Sequence, residues 1–164
     1  CTAWEKAFND VQTPATRKIA LRVTMVLGNY HNSVFPVLKR LTRFGLGGQM
    51  GNGRQFISWI HALDYARSIE FILEHPEICG TYNVAAPNPV INKDFMKIMR
   101  DELHVLFGLP ASEWMLEIGA WLMGTETELV LKSRRVVPKK LLEAGFEFKF
   151  PDVKNAIHDL AKKL

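Results

Sequence analysis

The pattern of hydrophobic and polar positions predicts strands early in the chain and helices later. Residues 18–28, KIALRVTMVLG, form a nearly continuous apolar run that is rich in branched side chains and bounded by glycine. Such a run is typical of a parallel strand covered on both faces. Two shorter strands are expected at FISWIH, residues 56–61, and at GTYNVAAP, residues 80–87. Together these strands predict a parallel sheet flanked by helices, which is an α/β fold.

Apolar positions three and four residues apart predict the helices. The first helix, at the start of the chain, has an apolar face formed by Trp4, Ala7, Phe8 and Val11. Because an amphipathic face needs a partner layer, we expect further structure to precede residue 1. The other predicted helices cover residues 33–44, 63–75, 93–107, 112–123, 126–132, 138–144 and 152–164.

Three residues are expected to mark the ends of these helices. Asp64 falls in the first turn of a predicted helix, where a carboxylate faces free amide groups, so it is expected to act as a cap. Asn92 precedes the helix that starts at residue 93 and has the same expected role. Gly145 follows residue 144 and suits a helix C-cap. The intervening PNPVIN segment, residues 87–92, is expected to be a turn.

Five of the 11 glycines lie in GLGGQMGNG, residues 45–53, a density that resembles a phosphate-binding loop. A dinucleotide fingerprint needs a third glycine three residues after the second. Met50 and Phe56 occupy the two positions where that glycine would stand. The segment therefore predicts a flexible turn and not a Rossmann phosphate loop.

Composition agrees with one globular unit. The chain has 164 residues, of which 48% are hydrophobic and 23% are charged, enough for one domain with a core. Its apolar runs are far shorter than the roughly 20 residues of a membrane-spanning helix, and no signal peptide opens it. We therefore expect a cytoplasmic protein without membrane contact, whose two cysteines are reduced.

Several segments resemble the carboxyl-terminal half of extended short-chain dehydrogenase/reductases. GNGRQFISWIHALD, residues 51–64, is similar to the family's glycine-rich loop with its following strand and helix, and residues 21–28 resemble the strand after the catalytic helix. Residues 135–157, RVVPKKLLEAGFEFKFPDVKNAI, resemble the carboxyl-terminal segment of the nucleoside-diphosphate-sugar epimerase type. The resemblance implies a residual Rossmann helix and strand in residues 1–30. It implies a substrate-binding and helical carboxyl-terminal domain in residues 31–164.

The same resemblance implies an NAD- or NADP-dependent oxidoreductase whose dinucleotide loop and catalytic tyrosine and lysine precede residue 1. In the family that lysine stands four residues after the tyrosine. Here the residues four positions beyond the three tyrosines are Val34, Ile69 and Ala86. We therefore expect the chain alone to be inactive and to bind no cofactor tightly. Its expected partners are the missing amino-terminal Rossmann half and a small-molecule substrate, with a nucleotide-linked compound and a homodimer as further candidates.

Five residues are candidates for contacting the substrate. Arg54 lies in the loop that binds substrate in relatives, and its planar fork suits a diphosphate or carboxylate. Gln55 offers a donor and an acceptor, Trp59 offers a ring wall, and His61 can donate a proton near neutral pH. Asn83 matches the strand that closes the substrate side of the cleft in relatives. All but Gln55 also have a structural alternative. Arg54 would be a solvated loop arginine and Trp59 a core residue. His61 would make a structural hydrogen bond, and Asn83 would be a satisfied asparagine at a strand end.

Two residues are candidates for approaching the cofactor. Arg22 and Thr24 point to the same side of the first strand, whose end approaches the nicotinamide in the extended family. Thr24 stands where close relatives usually have glycine, and its bulk is expected to narrow that cleft. No metal is assigned, because the five histidines are scattered and HPEIC, residues 75–79, lacks the further ligands of a zinc site.

Two other classes of function are considered. A net charge of +4 and a pI near 9.1, with basic groups in residues 39–54 and 132–140, would suit a nucleic-acid-binding module. Interspersed acidic residues and the lack of a nucleic-acid motif disfavour it. A stand-alone interaction or regulatory module is the second alternative, supported by the missing catalytic pair. It predicts a cooperative melt, whereas a fragment predicts an exposed apolar patch beside the first strand.

Overall fold

The computed structural model describes residues 2–31, 33–111 and 132–162. Its helices are α1 (Thr2–Asp10), α2 (Val34–Leu41), α3 (Ala62–Glu74), α4 (Asn92–Glu102), α5 (Lys139–Glu143) and α6 (Val153–Lys162). Its strands are β1 (Ile19–Val23), β2 (Met25–Leu27), β3 (Phe56–Ile57), β4 (Trp59–His61), β5 (Gly80–Val84) and β6 (Val90–Ile91). A π-helical turn, Thr42–Leu46, follows α2. The predicted helix at 112–123 and residues 126–131 of the predicted helix at 126–132 lie outside the described residues.

Two of the three strand pairs among the described residues are parallel, as the apolar pattern predicts. β1 pairs with β5 and β2 pairs with β4, both in parallel, while β3 and β6 form an antiparallel pair. The chain changes partner at Thr24, whose N–H donates to the Val84 carbonyl at 3.1 Å, whereas the Met25 N–H donates to the Ser58 carbonyl at 3.3 Å. The predicted strand 18–28 is therefore two strands. The expected turn at 87–92 contains β6, because Val90 pairs with Ile57.

Two apolar clusters form the core. The first joins β2 and β4 to α2, α4 and α6 through Leu27, Phe35, Met50, Trp59, Ala86, Phe95, Met96, Met99, Val153, Ala156, Ile157 and Leu160. The second joins β4 and β5 to α3 and α5 through Ile60, Ile72, Ile78, Tyr82, Val84, Leu141 and Phe146. Trp59 and Ile60 thus lie in different clusters, as strand alternation requires.

The prediction that the first strand is covered on both faces is wrong for β1. Arg22 and Val23 are exposed, and the other three residues of β1 are only partly buried. Within the described part of the chain, β5 is the only strand that pairs with β1. α1 forms as predicted, but its apolar face is largely exposed, with Trp4 at 83%. β1 and α1 therefore share an open surface.

Two of the three expected helix caps differ from the prediction. The N-cap of α3 is His61, whose ring nitrogen accepts a hydrogen bond from the Leu63 N–H, so Asp64 does not fill that role. Asn92 is the first helical residue of α4, is fully buried, and accepts a hydrogen bond from the Met50 N–H at 2.8 Å. Gly145 is confirmed as the residue that ends α5, because it adopts a φ of 89° that suits glycine.

The glycine-rich segment is a turn that several hydrogen bonds hold in place. Gly45, Gly51 and Gly53 have positive φ angles. The Leu109 N–H donates to the Gly45 carbonyl at 2.7 Å, and Arg100 donates to the Gly47 carbonyl at 2.5 Å. Asn92 of α4 also accepts a hydrogen bond from Met50 in this segment. Together these hydrogen bonds hold the loop in one conformation. None of the helices within the described ranges is long and apolar enough to cross a membrane.

Candidate functional site

Arg54 and Gln55 follow the glycine-rich turn, but their side chains have different environments. Arg54 is exposed, and its backbone N–H donates to the side-chain oxygen of Asn52 at 2.9 Å. Gln55 is buried, and its side-chain amide donates to the Met50 carbonyl at 2.9 Å. Gln55 therefore holds the turn together from within, while Arg54 presents its guanidinium to solvent, where a ligand can reach it.

Two further arginines lie beside the strand that follows Arg54. The Arg134 N–H donates to the Phe56 carbonyl at 3.1 Å, and the Arg135 guanidinium carbon stands 5.2 Å from the centre of the Phe56 ring. Ser58 secures this segment by donating its hydroxyl to the Arg134 carbonyl at 2.6 Å. Only the basic run at 132–140 indicated these arginines in the sequence, and nothing in that run indicated that they lie along β3.

Trp59 is part of the core. Its side chain is fully buried, and its indole N–H donates to the Asn88 carbonyl at 3.0 Å. A buried indole normally finds such a partner. In the described structure the ring therefore packs within the first apolar cluster and holds the loop after β5.

His61 is also buried and connects three elements. Its Nδ1 atom accepts the Leu63 N–H at 3.0 Å, and its Nε2 atom is 3.3 Å from a carboxylate oxygen of Asp159 on α6. The ring stacks on Phe150 with 4.0 Å between ring centres. Because Nδ1 accepts a hydrogen bond, the ring proton belongs on Nε2, facing Asp159. This geometry gives His61 a structural part in joining β4, α3 and α6.

Arg22 forms a two-bond ion pair with Glu5 of α1. Its Nε and Nη2 atoms donate to the two carboxylate oxygens of Glu5 at 2.7 Å and 2.6 Å. These hydrogen bonds hold the pKa of the Glu5 carboxyl below its ordinary value and raise the pKa of Arg22. Arg22 therefore fastens α1 to β1.

Thr24 lies at the junction of β1 and β2. Its hydroxyl donates to the Val84 carbonyl at 3.2 Å, the same carbonyl that accepts its backbone N–H. The side chain thus binds to the neighbouring strand end. This arrangement leaves the residue at the carboxyl end of β1, where the sequence predicts an approach to a cofactor.

Arg22 and Asn83, which are paired in the β1–β5 register, line a cavity of about 240 Å³ together with Thr81, Lys139 and Lys140. We call this the basic cavity. Lys140 donates to the Thr81 carbonyl at 2.9 Å and lies 5.1 Å from the centre of the Tyr82 ring. Two of the seven candidate site residues therefore meet here, and Arg54, Gln55, Trp59, His61 and Thr24 do not line the cavity.

Sequence reasoning did not assign Lys139, Lys140 or Thr81 to a site. The basic composition of residues 132–140 was the only signal for the two lysines, and Thr81 had none, because α5 reaches β5 through tertiary packing alone. As for metals, the described residues contain no group of three or more histidine, cysteine, aspartate or glutamate side chains able to hold an ion.

Comparisons with known proteins agree on one family. The profile of a domain of unknown function, DUF1731, matches residues 111–160. The epimerase family protein YfhF of Bacillus subtilis is 34% identical over 157 residues, which are 96% of this chain and 50% of the relative. The epimerase family protein SSP1921 of Staphylococcus saprophyticus is 32% identical over 158 residues, covering 96% of this chain and 51% of that protein. The chain thus spans about half the length of these relatives.

Solved structures show the same relationship. The crystal structure of human epimerase family protein SDR39U1 (isoform 2) with NADPH has a TM-score of 0.87 and 27% identity, and the match covers 99% of this chain and 54% of that one. A UDP-N-acetylglucosamine 4-epimerase from Methanobrevibacter ruminantium shares the fold, with a TM-score of 0.69, 17% identity, and coverage of 98% of this chain and 49% of that one. The chain therefore belongs to the epimerase family of extended short-chain dehydrogenase/reductases and matches a carboxyl-terminal part of its members.

Proposed function

We propose that this chain is the substrate-binding part of an NAD(P)-dependent, epimerase-type oxidoreductase and is inactive alone. The observation that carries the proposal is the match to SDR39U1, which extends over 99% of this chain and was found in a structure with NADPH. The curated epimerase family proteins, about twice as long, support the same assignment. Three tyrosines without a lysine four residues later support the absence of catalysis by this chain.

The division of labour along the chain follows from this proposal. Residues 1–30 would complete a Rossmann domain, and residues 31–164 would form the substrate-binding and helical domain. The open surface of α1 and β1 supports the first assignment, because exposed Trp4 and Val23 are apolar side chains with little described structure against them. An apolar surface beside an unpaired strand edge is suited to packing against a further layer of the enzyme.

Arg54 is the residue that we propose as the anion anchor for the substrate. Its guanidinium is exposed at the end of a turn that Gln55 and Asn92 hold from within. A fixed backbone next to a planar, charged guanidinium favours recognition of a diphosphate or carboxylate group. Trp59 and His61 support the adjoining strand from the core, and we propose that they shape the site without touching the substrate.

Cofactor chemistry belongs mainly to the part of the enzyme outside this chain. When bound, a nicotinamide would exchange a hydride with a hydroxyl or keto carbon of the substrate. The described residues fit a cofactor poorly, because Arg22 is paired with Glu5 and the Thr24 hydroxyl is bonded to Val84. This chain's contribution is therefore to bind and orient the substrate, which we propose to be a small, nucleotide-linked molecule.

Replacing Arg54 with alanine in the longer protein that contains this chain tests the anchor. The loss of a charge-assisted pair should weaken binding of the probe UDP by at least about tenfold, since such bonds contribute roughly 1.5–3 kcal/mol. Isothermal titration calorimetry would measure the affinity, with Arg43→Ala as the control because Arg43 is also an exposed arginine. If the two variants bind UDP equally well, Arg54 is not the anchor.

A further inference from the structure

The basic cavity between β1, β5 and α5 has a charge distribution that suits an anion. Three of its five lining residues, Arg22, Lys139 and Lys140, carry positive charge, and the other two, Thr81 and Asn83, are polar. Its described lining includes no acidic side chain. Side chains from two strands and one helix therefore place donors around one space of about 240 Å³.

Several of these donors are not used by the described parts of the protein. Glu5 occupies Nε and Nη2 of Arg22, and within the described ranges Nη1 has no hydrogen-bond partner. Lys140 uses one of its three ammonium N–H groups to donate a hydrogen bond to the Thr81 carbonyl. The side chains of Thr81 and Asn83 make no hydrogen bond to any described residue. These groups are therefore available to donate hydrogen bonds to a ligand.

Two carboxylates near the cavity reduce its positive electrostatic potential. Glu5 offsets much of the charge on Arg22 through their two-bond pair. Glu143 lies 3.7 Å from Lys139, but both side chains are largely exposed, and a surface pair of this kind contributes little. Lys139 can therefore turn to an incoming anion, while Lys140 is already held at the cavity wall.

We propose that the basic cavity binds a phosphoryl group, either as free phosphate or on a small ester. Its volume lies below the roughly 300–1,000 Å³ of pockets for drug-sized ligands, so it suits a compact group. The dianion should bind better than a monoanion, because Lys139 and Lys140 line the cavity with the Arg22 N–H groups that Glu5 leaves free, and no acidic side chain is in the described lining. This site goes beyond the proposed function and does not depend on it, since Arg54 does not line the cavity.

Inorganic phosphate and the intact protein provide the test. Binding would be followed by isothermal titration calorimetry for the unmodified protein and for the variants Lys140→Met and Asn83→Ala. Each variant should bind phosphate about five to ten times more weakly, as loss of one charge-assisted bond predicts. Asn83→Ala removes a side chain without described partners, so it should fold even if Lys140→Met does not. The control is Lys97→Met, an exposed lysine of α4 outside the cavity, which should bind phosphate normally.

Three further measurements complete the test. The affinity should fall as salt rises, because the groups are near the surface, and Arg54→Ala should leave it unchanged. Tighter binding of adenosine 5′-monophosphate than of phosphate would identify an ester as the ligand, and equal binding would identify free phosphate. Equal phosphate affinity in the unmodified protein and both cavity variants would overturn the proposal, as would the absence of saturable binding.

Discussion

Asp64 illustrates how one buried side chain can join distant parts of the chain. Its carboxylate is fully buried and accepts hydrogen bonds from the Lys149 N–H at 2.9 Å and the Phe150 N–H at 2.7 Å. Arg67, one turn along α3, donates to the same carboxylate at 3.0 Å. The positive neighbour and the two amides compensate the cost of burying a charge. The segment between α5 and α6 is therefore fixed to the first turn of α3.

Replacing Asp64 with asparagine should lower the free energy of unfolding by about 3 kcal/mol. The amide nitrogen of asparagine cannot accept a hydrogen bond, so one buried N–H loses its partner, and Arg67 loses its charged acceptor. Urea denaturation followed by circular dichroism would measure the loss. Asp101→Asn, at an exposed position of α4, is the matched control and should change stability by less than about 0.5 kcal/mol. Similar losses in the two variants would contradict this role.

The ion pair between Arg22 and Glu5 should make the stability of the fold depend on pH. Because the pKa of Glu5 is lower in the folded protein than in the unfolded chain, the pair stabilises the fold above the ordinary glutamate pKa. That contribution is lost as the pH falls through the lowered pKa. An NMR titration should show the Glu5 pKa returning toward its ordinary value in Arg22→Gln. Lys6→Gln removes a nearby charge but none of these hydrogen bonds, so an equal change in that variant would contradict the interpretation.

At the scale of elements, the segment between α1 and β1 holds two helix ends. The Lys18 ammonium donates to the carbonyls of Phe8 and Asn9 at 2.8 Å and 3.1 Å and also to that of Val11. Arg17 donates to the carbonyl of His75 at 2.6 Å, directly after α3. Cations at helix carboxyl ends satisfy free carbonyls and interact favourably with the helix dipole. Two consecutive basic residues therefore fix the positions of α1 and α3 relative to β1.

Replacing Lys18 with methionine should loosen the end of α1. Loss of a cation at this position is expected to cost about 0.3–1 kcal/mol, which is enough to increase fraying. Amide hydrogen exchange should become faster over the last turn of α1 and stay unchanged in α4. Lys6→Met alters an exposed lysine in the same helix and should leave the exchange rates near those of the unmodified chain. Faster exchange in both variants alike would show that Lys18 has no special part.

Close backbone packing fixes the conformation of the glycine-rich loop before β3. A Cβ atom at Gly48 would stand 2.3 Å from the Leu109 carbonyl oxygen, so the two backbones approach too closely for any larger residue. Gly51 and Gly53 adopt positive φ angles that favour glycine. These glycines allow the backbone to pack closely, and this packing fixes the backbone next to Arg54.

For the whole molecule, we expect the open surface of α1 and β1 to promote self-association in solution. Trp4 is 83% exposed and Val23 is 42% exposed, and β1 has a free edge among the described strands. Apolar area beside an unpaired strand edge promotes association. Under the function proposed above, a Rossmann layer would cover this surface.

Trp4→Gln should reduce self-association of the isolated 164-residue chain. Burial of a large ring contributes roughly 2–3 kcal/mol, so the association constant should fall by at least about tenfold. Analytical ultracentrifugation would measure it. Leu106→Gln is the matched control, because Leu106 is fully exposed but lies after α4. A chain that is monomeric before substitution, or one in which Leu106→Gln has the larger effect, would contradict the assignment of this surface.

The sequence by itself determined the local elements and the class of fold. Branched runs identified the parallel strands, three- and four-residue spacing identified the described helices, and the motifs at 51–64 and 135–157 indicated the family. These features depend on neighbours along the chain, so periodicity and motif spacing contain them. The same reasoning located Arg54 in its loop and Gly145 at the end of α5.

Only the tertiary structure decided which polar groups meet. Asp64 was expected to cap α3, but it binds amides 85 and 86 residues away, and His61 caps the helix instead. Arg22 meets Glu5, and Lys140 reaches β5, because packing brings α1 and α5 against the sheet. Side chains with several possible partners choose among them according to burial and distance. The spacing of residues gives neither quantity, so the basic run at 132–140 is the only feature of the sequence that indicates the basic cavity.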